Sequence, residues 1–425
     1  MSGTETAEPS RSSESQRQVR TLQGNIGPGI LRESAGRQRQ RLCYVLQTYR
    51  EDSTDCSPHL FRFLEELAKA VDLFVVIERC HGQPRLKGAT RIYCQRWTNR
   101  ILRVVEIGGV LLWARLRRYR RVYVRYSQSA MLLAPLLRLL GSKVFYWNCG
   151  MMKEFFRPWS LRWEDWRFML MVEWPLRFSL KAASCVVTGT ESMAHYYAQN
   201  FALDPSRILV IPNDVDVNNF LQGAGTDPQP PAQGPTVLYV GRLDRPNGAN
   251  QLPAIAEAVC RRVPEARFVI VGDGPLREHI RRELVARQLD ARVSLVGPVP
   301  NTDVARYYTQ ADLFVLPALA EGMPRVLLES MAAGVPFVAT AVGGVPDLVT
   351  PAQRPWLVSP GEWEAFADRV VELLAHPEIR QALRQEGRRR VQDFSLERVC
   401  RLFVERIGGV PPVPVSGDPL SVAGA

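Results

Sequence analysis

The stretch Pro317–Val349, PALAEGMPRVLLESMAAGVPFVATAVGGVPDLV, decides how this chain is read. Just before it, Leu313–Leu316 is apolar throughout; within it, Val326–Ala333 has helical spacing and Phe337–Thr340 is a second short apolar run. A buried run, a helix and a second buried run make the unit of a parallel sheet covered on both faces. Pro324 suits the first helical position, where a missing N–H costs nothing, and it leaves the amides of Arg325 and Val326 to face an anion at the positive helix end. Glu321 falls in the loop at the mouth. Glu329 falls about one and a half turns into the helix, with the reach to accept hydrogen bonds from two ribose hydroxyls, as acidic residues do in other nucleotide-binding α/β domains. Alone, two glutamates around a helix start are ordinary surface charges, so the rest of the chain has to decide.

Upstream of that unit the same alternation recurs. Thr236–Val240, Arg267–Val271 and Val293–Val296 are apolar runs, with helical patterns over Ala254–Val263 and Pro275–Gln288 between them. Ligands of open parallel sheets bind beyond the carboxyl ends of the strands, so the residues after each run are the informative ones. After the first come Gly241 and Arg242, a backbone a phosphate can approach and a guanidinium fork to grip it. After the second comes the tight turn Gly272-Asp273-Gly274-Pro275, which serves equally as a purely structural turn or as a ligand contact. After the third comes Gly297-Pro298-Val299-Pro300, whose backbone could meet a flat base.

The half before these runs repeats the theme less cleanly, with Arg41–Leu46, Leu73–Ile77, Val122–Val124, Val144–Trp147, Cys185–Thr188 and Ile208–Ile211 as strand candidates. QGAGTDPQPPAQGP, spanning 222–235, can hold neither helix nor central strand and reads as an interdomain linker. The expected organisation is a disordered tail (1–38), an N-terminal domain (39–221), the linker (222–235), a C-terminal domain (236–394), a further helix (395–407) and a second disordered tail (408–425).

Taken together and in order, VIPNDVD at 210–216, VGRL at 240–243, VGDGP at 271–275, EGMPRVLLESMAAGVPFVAT at 321–340 and VGG at 342–344 resemble glycosyltransferase family 4. The resemblance is close through 236–350, recognisable from Cys185 to Ile211 and architectural before that. It implies an α/β GT-B fold: two Rossmann-like doubly wound domains face a cleft, and a C-terminal helix crosses back onto the first. It further implies that Glu321 contacts the hydroxyls of the transferred sugar, Glu329 the ribose and Arg242 the diphosphate, with Gly241, Asn247, Gly272, Asp273, Gly274, Val299, Gly322, Met323, Arg325 and Val326 completing the donor site. Family members retain anomeric configuration without a metal or other cofactor, so a nucleotide-sugar co-substrate is expected and no metal site. Asp214-Val215-Asp216 reads as structural.

Three departures from the family pattern bear on activity. A lysine five residues after the phosphate-binding arginine is here Asn247. The glycine-rich loop after the first strand is replaced by TYREDSTDCSPH at 48–59, and Asn-Gly in the interdomain motif becomes Asn213-Asp214. The histidine often found after Val144–Trp147 is Asn148, a catalytic candidate that can hydrogen-bond a sugar but cannot carry a proton in catalysis.

Composition frames these motifs. With 425 residues, 46% hydrophobic and 23% charged, the chain has the makeup of a two-domain globular protein. Its longest apolar runs carry charges and fall well short of the roughly 20 residues that span a bilayer, and the N-terminus lacks a signal-peptide core, so a cytoplasmic protein is expected. The eight cysteines show no metal-ligand spacing. Charge is uneven: 20 Lys and Arg stand against 5 Asp and Glu between Arg85 and Lys181, while the whole chain carries +11. Such a half attracts anionic lipid, phosphorylated substrate or nucleic acid, or is simply a solvated surface.

Inside that half, Trp159, Trp163 and Trp166 share one helical face amid Lys153, Arg157, Arg162 and Arg167. The face serves as core packing, as an interfacial membrane helix or as an aromatic acceptor channel. No nucleic-acid recognition fold accompanies it. The sequence therefore predicts transfer of a hexosyl unit from a UDP- or GDP-sugar to a glycan or lipid-linked acceptor, peripherally on the inner face of the cell membrane. The other function class is a catalytically weakened GT-B scaffold that acts as partner or regulator of other glycosyltransferases.

Overall fold

The structure is a computed structural model and describes residues 39–50, 57–150, 169–222 and 234–408. The expected tails, most of the linker and the Trp159, Trp163 and Trp166 face lie outside the described residues.

The N-terminal half holds β1 (Arg41–Arg50), β2 (Asp72–His81), β3 (Arg91–Cys94), β4 (Arg121–Arg125), β5 (Lys143–Trp147), β6 (Cys185–Thr188) and β7 (Ile208–Val210). All pairings are parallel, in the spatial order β3-β2-β1-β4-β5-β6-β7. The C-terminal half holds β8 (Thr236–Val240), β9 (Arg267–Val271), β10 (Val293–Gly297), β11 (Leu313–Leu316), β12 (Phe337–Thr340) and β13 (Leu357–Val358), again parallel, in the order β10-β9-β8-β11-β12-β13. Counted within each sheet, the first six strands of both share the order 3-2-1-4-5-6, the doubly wound arrangement. The expected α/β class with two Rossmann-like sheets is what the chain adopts.

Strands β11 and β12 are buried throughout and β1 over residues 42–46, as helices on both faces of a parallel sheet require. Two strands carry too little pattern to be read in advance: β3 is a four-residue edge strand paired only to β2, and β13 has two residues. Strand β1 also runs past Leu46, because Thr48, Tyr49 and Arg50 stay in register with Arg79, Cys80 and His81 of β2.

The last described helix, Leu396–Arg406, returns to the N-terminal half. There Phe403 meets Tyr123 of β4 at 4.8 Å and Phe63 of the helix Ser57–Ala70 at 5.4 Å, both edge-on. The return is fastened by a two-residue parallel bridge, in which the Val215 amide donates to Phe394 O at 2.9 Å and the Leu396 amide to Val215 O at 3.2 Å. Among the described residues no helix is long and apolar enough to cross a membrane.

Candidate active site

In the C-terminal sheet the order reverses between β8 and β11, so the loops leaving their carboxyl ends diverge and open a crevice. The loop after β8 carries Gly241, Arg242, Asp244 and Asn247; the loop after β11 carries Glu321, Gly322, Met323 and Pro324. These residues, Asp244 and Gly322 aside, line a cavity of ≈ 730 Å³ shared with Gln47, Thr48, Arg50, Arg125, Tyr126 and Cys149 of the N-terminal half. A space of that size suits a small organic ligand.

The Arg242 side chain is largely exposed, with Nε 3.0 Å from Asp244 Oδ2. The other Asp244 oxygen accepts from the Asn247 side chain at 2.8 Å and from the Asn247 amide at 3.1 Å. Asp244, which sequence reasoning passed over, thus organises both donor-site candidates of this loop. Its one readable signal is a carboxylate two residues after the arginine.

Glu321 is half-buried in the opposite loop. Burial raises its carboxyl, the Asp244 carboxylate pushes the same way and the Gly322 amide opposes both, leaving it at about 7. At Gly322 a Cβ would stand 1.7 Å from Cys149 O, so only glycine lets this loop close onto the chain leaving β5.

The helix Arg325–Ala333 starts at Pro324, in extended conformation and without a side-chain cap, and its first residues Arg325 and Val326 line the cavity. The Arg325 guanidinium is already engaged, because Nη2 lies 2.9 Å from Asp214 Oδ1. On the other Asp214 oxygen, at 2.9 Å, stands His59 Nε2 from the helix Ser57–Ala70. Burial alone would lift the Asp214 carboxyl; the Arg325 charge and the His59 ring hold it far below the usual carboxylate range. The neighbouring Asn213 side chain donates to Met323 O at 3.0 Å. The interdomain segment 213–216 is therefore structural, as expected, and it grips the loop after β11 directly.

Glu329 accepts a hydrogen bond from the Tyr308 hydroxyl at 3.2 Å, and burial raises its carboxyl. It lines a separate, narrower cavity with Asn301, Thr302, Asn219 and His59 and does not line the large one. The two glutamates thus face different spaces, with Arg325 on the wall of both.

Besides Gly322 and Glu329, five expected residues, Asn148, Val299, Gly272, Asp273 and Gly274, are not brought to the large cavity. Asn148 is buried, its side-chain oxygen accepting from the Tyr197 hydroxyl at 2.7 Å and the Gly150 amide at 3.2 Å, and Cys149 lines the cavity in its place. Val299 is packed in the core. Gly272 and Gly274 are explained by packing: at Gly272 φ is 137° and a Cβ would lie 1.9 Å from Gly241 O. Beside them, Asp273 O accepts the Leu243 amide at 2.9 Å, which holds the phosphate-loop candidate in place.

Comparison with known proteins gives the family and the fold. Residues 57–219 match the model for Glycosyltransferase Family 4 and residues 227–390 the model for Glycosyl transferases group 1. The two matches together cover most of the chain, which belongs to glycosyltransferase family 4. Among its relatives is 2-deoxystreptamine N-acetyl-D-glucosaminyltransferase of Niallia circulans, 30% identical over 36% of this chain and 39% of that protein. Another is D-inositol 3-phosphate glycosyltransferase of Segniliparus rotundus, 30% identical over 50% of this chain and 49% of that protein. These matches span half or less of each relative's length. Among solved structures, sucrose-phosphate synthase of Thermosynechococcus elongatus superposes with a TM-score of 0.70 at 22% identity, over 88% of this chain and 100% of that one. Anabaena HepE with UDP and glucose superposes with a TM-score of 0.67 at 17% identity, over 87% of this chain and 100% of that one. These likenesses establish the GT-B fold.

Proposed function

We propose that the chain transfers a hexosyl unit from a UDP- or GDP-sugar to a glycan or lipid-linked acceptor with retention of configuration and without a metal. The observation that carries this reading is the placement of Arg242 and Glu321 on the two loops at the β8/β11 switch point, across one cleft from the N-terminal sheet. Arg242 is exposed enough to leave Asp244 for a diphosphate, and the start of the helix Arg325–Ala333 adds its positive end. As the bond to the sugar breaks, negative charge grows on the diphosphate and positive charge on the sugar ring; Arg242 and the helix stabilise the first, and an ionised Glu321 the second. HepE, which has this fold, has been solved with UDP and glucose, and that favours UDP as the nucleotide to try first.

A lipid-linked acceptor is supported by the N-terminal surface. Large apolar side chains stand exposed on three helices, the second of which touches both others: Ile101, Val105 and Leu116 on Arg100–Leu116, Leu136 and Leu139 on Ala134–Leu139, and Phe178 on Trp174–Ala182. Arg115, Arg138 and Lys181 belong to the same helices. An apolar surface with basic neighbours suits an anionic membrane.

A weakened scaffold is the second reading. It is favoured by Asn247 in place of a lysine and by the ion pair that already occupies Arg242. Thermal shift with UDP, GDP and their hexoses, followed by product analysis with the stabilising donor, tests both readings: stabilisation without turnover leaves the scaffold, and no stabilisation by any of them removes the transferase.

A further inference from the structure

Arg242 and Glu321 stand on one wall of the cleft only. The N-terminal sheet has its own switch point, between β1 and β4, and the carboxyl ends of these strands deliver Thr48, Arg50, Arg125 and Tyr126 to the same cavity. This wall is rich in hydrogen-bond donors and cationic, whereas Glu321, the one carboxylate residue among the described residues lining the cavity, stands on the other side.

The guanidinium groups around the cavity differ in how they are neutralised. Arg242 is paired with Asp244 and Arg325 with Asp214, but among the described residues no carboxylate pairs with Arg125 or Arg50. Arg125 is half-buried at the end of β4, in register with Leu46 of β1 and Trp147 of β5, so its backbone is fixed in mid-sheet. Its guanidinium lies 5.2 Å from the Trp147 ring centre and 5.9 Å from that of Tyr126. Aromatic faces hold a cation in place without cancelling its charge. Tyr126 itself sits at φ 58°, a left-handed conformation that bulky residues rarely adopt and that tends to persist where a site requires it.

A partly desolvated, oriented cation that no described carboxylate neutralises is unfavourable until an anion arrives, and a guanidinium fork fits phosphate oxygens two at a time. Arg50 at the rim supplies a second charge, which favours a phosphate dianion over a single carboxylate. We propose that Arg125 is the anion-recognising residue of the acceptor site, and that the acceptor carries a phosphate group. The inference rests on the transferase reading for its division of the cleft into donor and acceptor walls.

The test uses calorimetry on the full chain. UDP and GDP are titrated first into the wild type, Arg125→Gln and Arg50→Gln. With the better nucleotide saturating, glucose, glucuronate, glucose 6-phosphate and dihexanoyl phosphatidic acid are titrated next. Glucose 6-phosphate or the phosphatidic acid should bind the wild type at least about tenfold more tightly than glucose, with glucuronate between. Arg125→Gln should abolish that preference with nucleotide affinity unchanged within about twofold, and the exposed Arg50→Gln should reduce it by a few-fold. Preference for the phosphatidic acid assigns the phosphate to a lipid carrier, and preference for glucose 6-phosphate to a phosphosugar. Equal binding of charged and neutral probes overturns the proposal, as does a variant that loses nucleotide affinity but keeps the preference, which would place Arg125 on the donor. Failure of every nucleotide to bind would overturn the transferase reading itself.

Discussion

Arg325, in the first turn of the helix that faces the cleft, is held by Asp214 of the interdomain segment at 2.9 Å, and His59 of the N-terminal half holds the same carboxylate from the other side. One buried carboxylate thereby ties together the helix that faces the cleft, the joint between the halves and the helix Ser57–Ala70.

Replacing Asp214 with Ala should leave the Arg325 charge buried without a partner, at a cost of about 3–5 kcal/mol. Because the Asp214 carboxyl is depressed in the folded chain, its stabilisation is complete above the ordinary carboxylate pKa near 4 and is lost only as pH falls through the lower folded value. Denaturant melts at pH 7 should show the loss, and the gap between wild type and variant should narrow only in strong acid. A gap that is small, or that is already closed at pH 5, would show the pair to be weakly coupled to folding.

Glu321→Gln should reduce turnover far more than nucleotide affinity, and it should change the pH profile. With the carboxyl at about 7, wild-type transfer should rise as pH increases through neutrality and the ionised form appears, and Gln should flatten that limb. Asp244→Asn should move the midpoint down, since the Asp244 carboxylate helps keep Glu321 protonated. The raised carboxyl also costs the folded state stability as pH rises past its unfolded value toward and beyond 7, so Glu321→Gln should melt higher than wild type at pH 8. Steady-state rates between pH 5.5 and 8.5, with melting curves at the two ends, decide all three points.

Glu329→Ala should weaken nucleotide binding by on the order of 1–3 kcal/mol if the carboxylate meets the ribose. Tyr308→Phe, which removes the hydroxyl that now donates to Glu329, should have a much smaller effect. Unchanged calorimetric affinity in Glu329→Ala would confine this residue to its bond with Tyr308 in the narrow cavity.

Membrane docking predicts co-sedimentation with phosphatidylglycerol vesicles at low salt and release as salt rises, because each basic residue near such a surface contributes about 1 kcal/mol within a Debye length. The double variant Leu116→Ser, Leu139→Ser removes two exposed leucines without touching the core and should reduce retention. Equal binding to neutral vesicles, or none at low salt, would point to a soluble acceptor.

Treating the wild type with a chelator should leave nucleotide affinity and transfer rate as they were. A rate that collapses and returns with a divalent cation would overturn the metal-free mechanism.

The sequence by itself determined the fold. Buried parallel strands must be apolar along their whole length, and that requirement wrote β8, β9, β11, β12 and most of the others into local composition. It also placed Arg242 and Glu321, because ligand loops follow strand ends. Only the tertiary structure decided the rest. Edge strand β3 and the two-residue β13 carry too few buried positions to leave a pattern. Glu321 and Glu329 fall eight residues apart around one helix start, yet they line different cavities, one from the loop and the other from the helix, with Arg325 on the wall of both. Asn148 follows its strand as a site residue should, but the Tyr197 hydroxyl, 49 residues on, holds it under the sheet. Asp244, Asp214 and Arg125 gain their roles from partners or open space that only folding brings near, and nothing in a linear chain records such a distance.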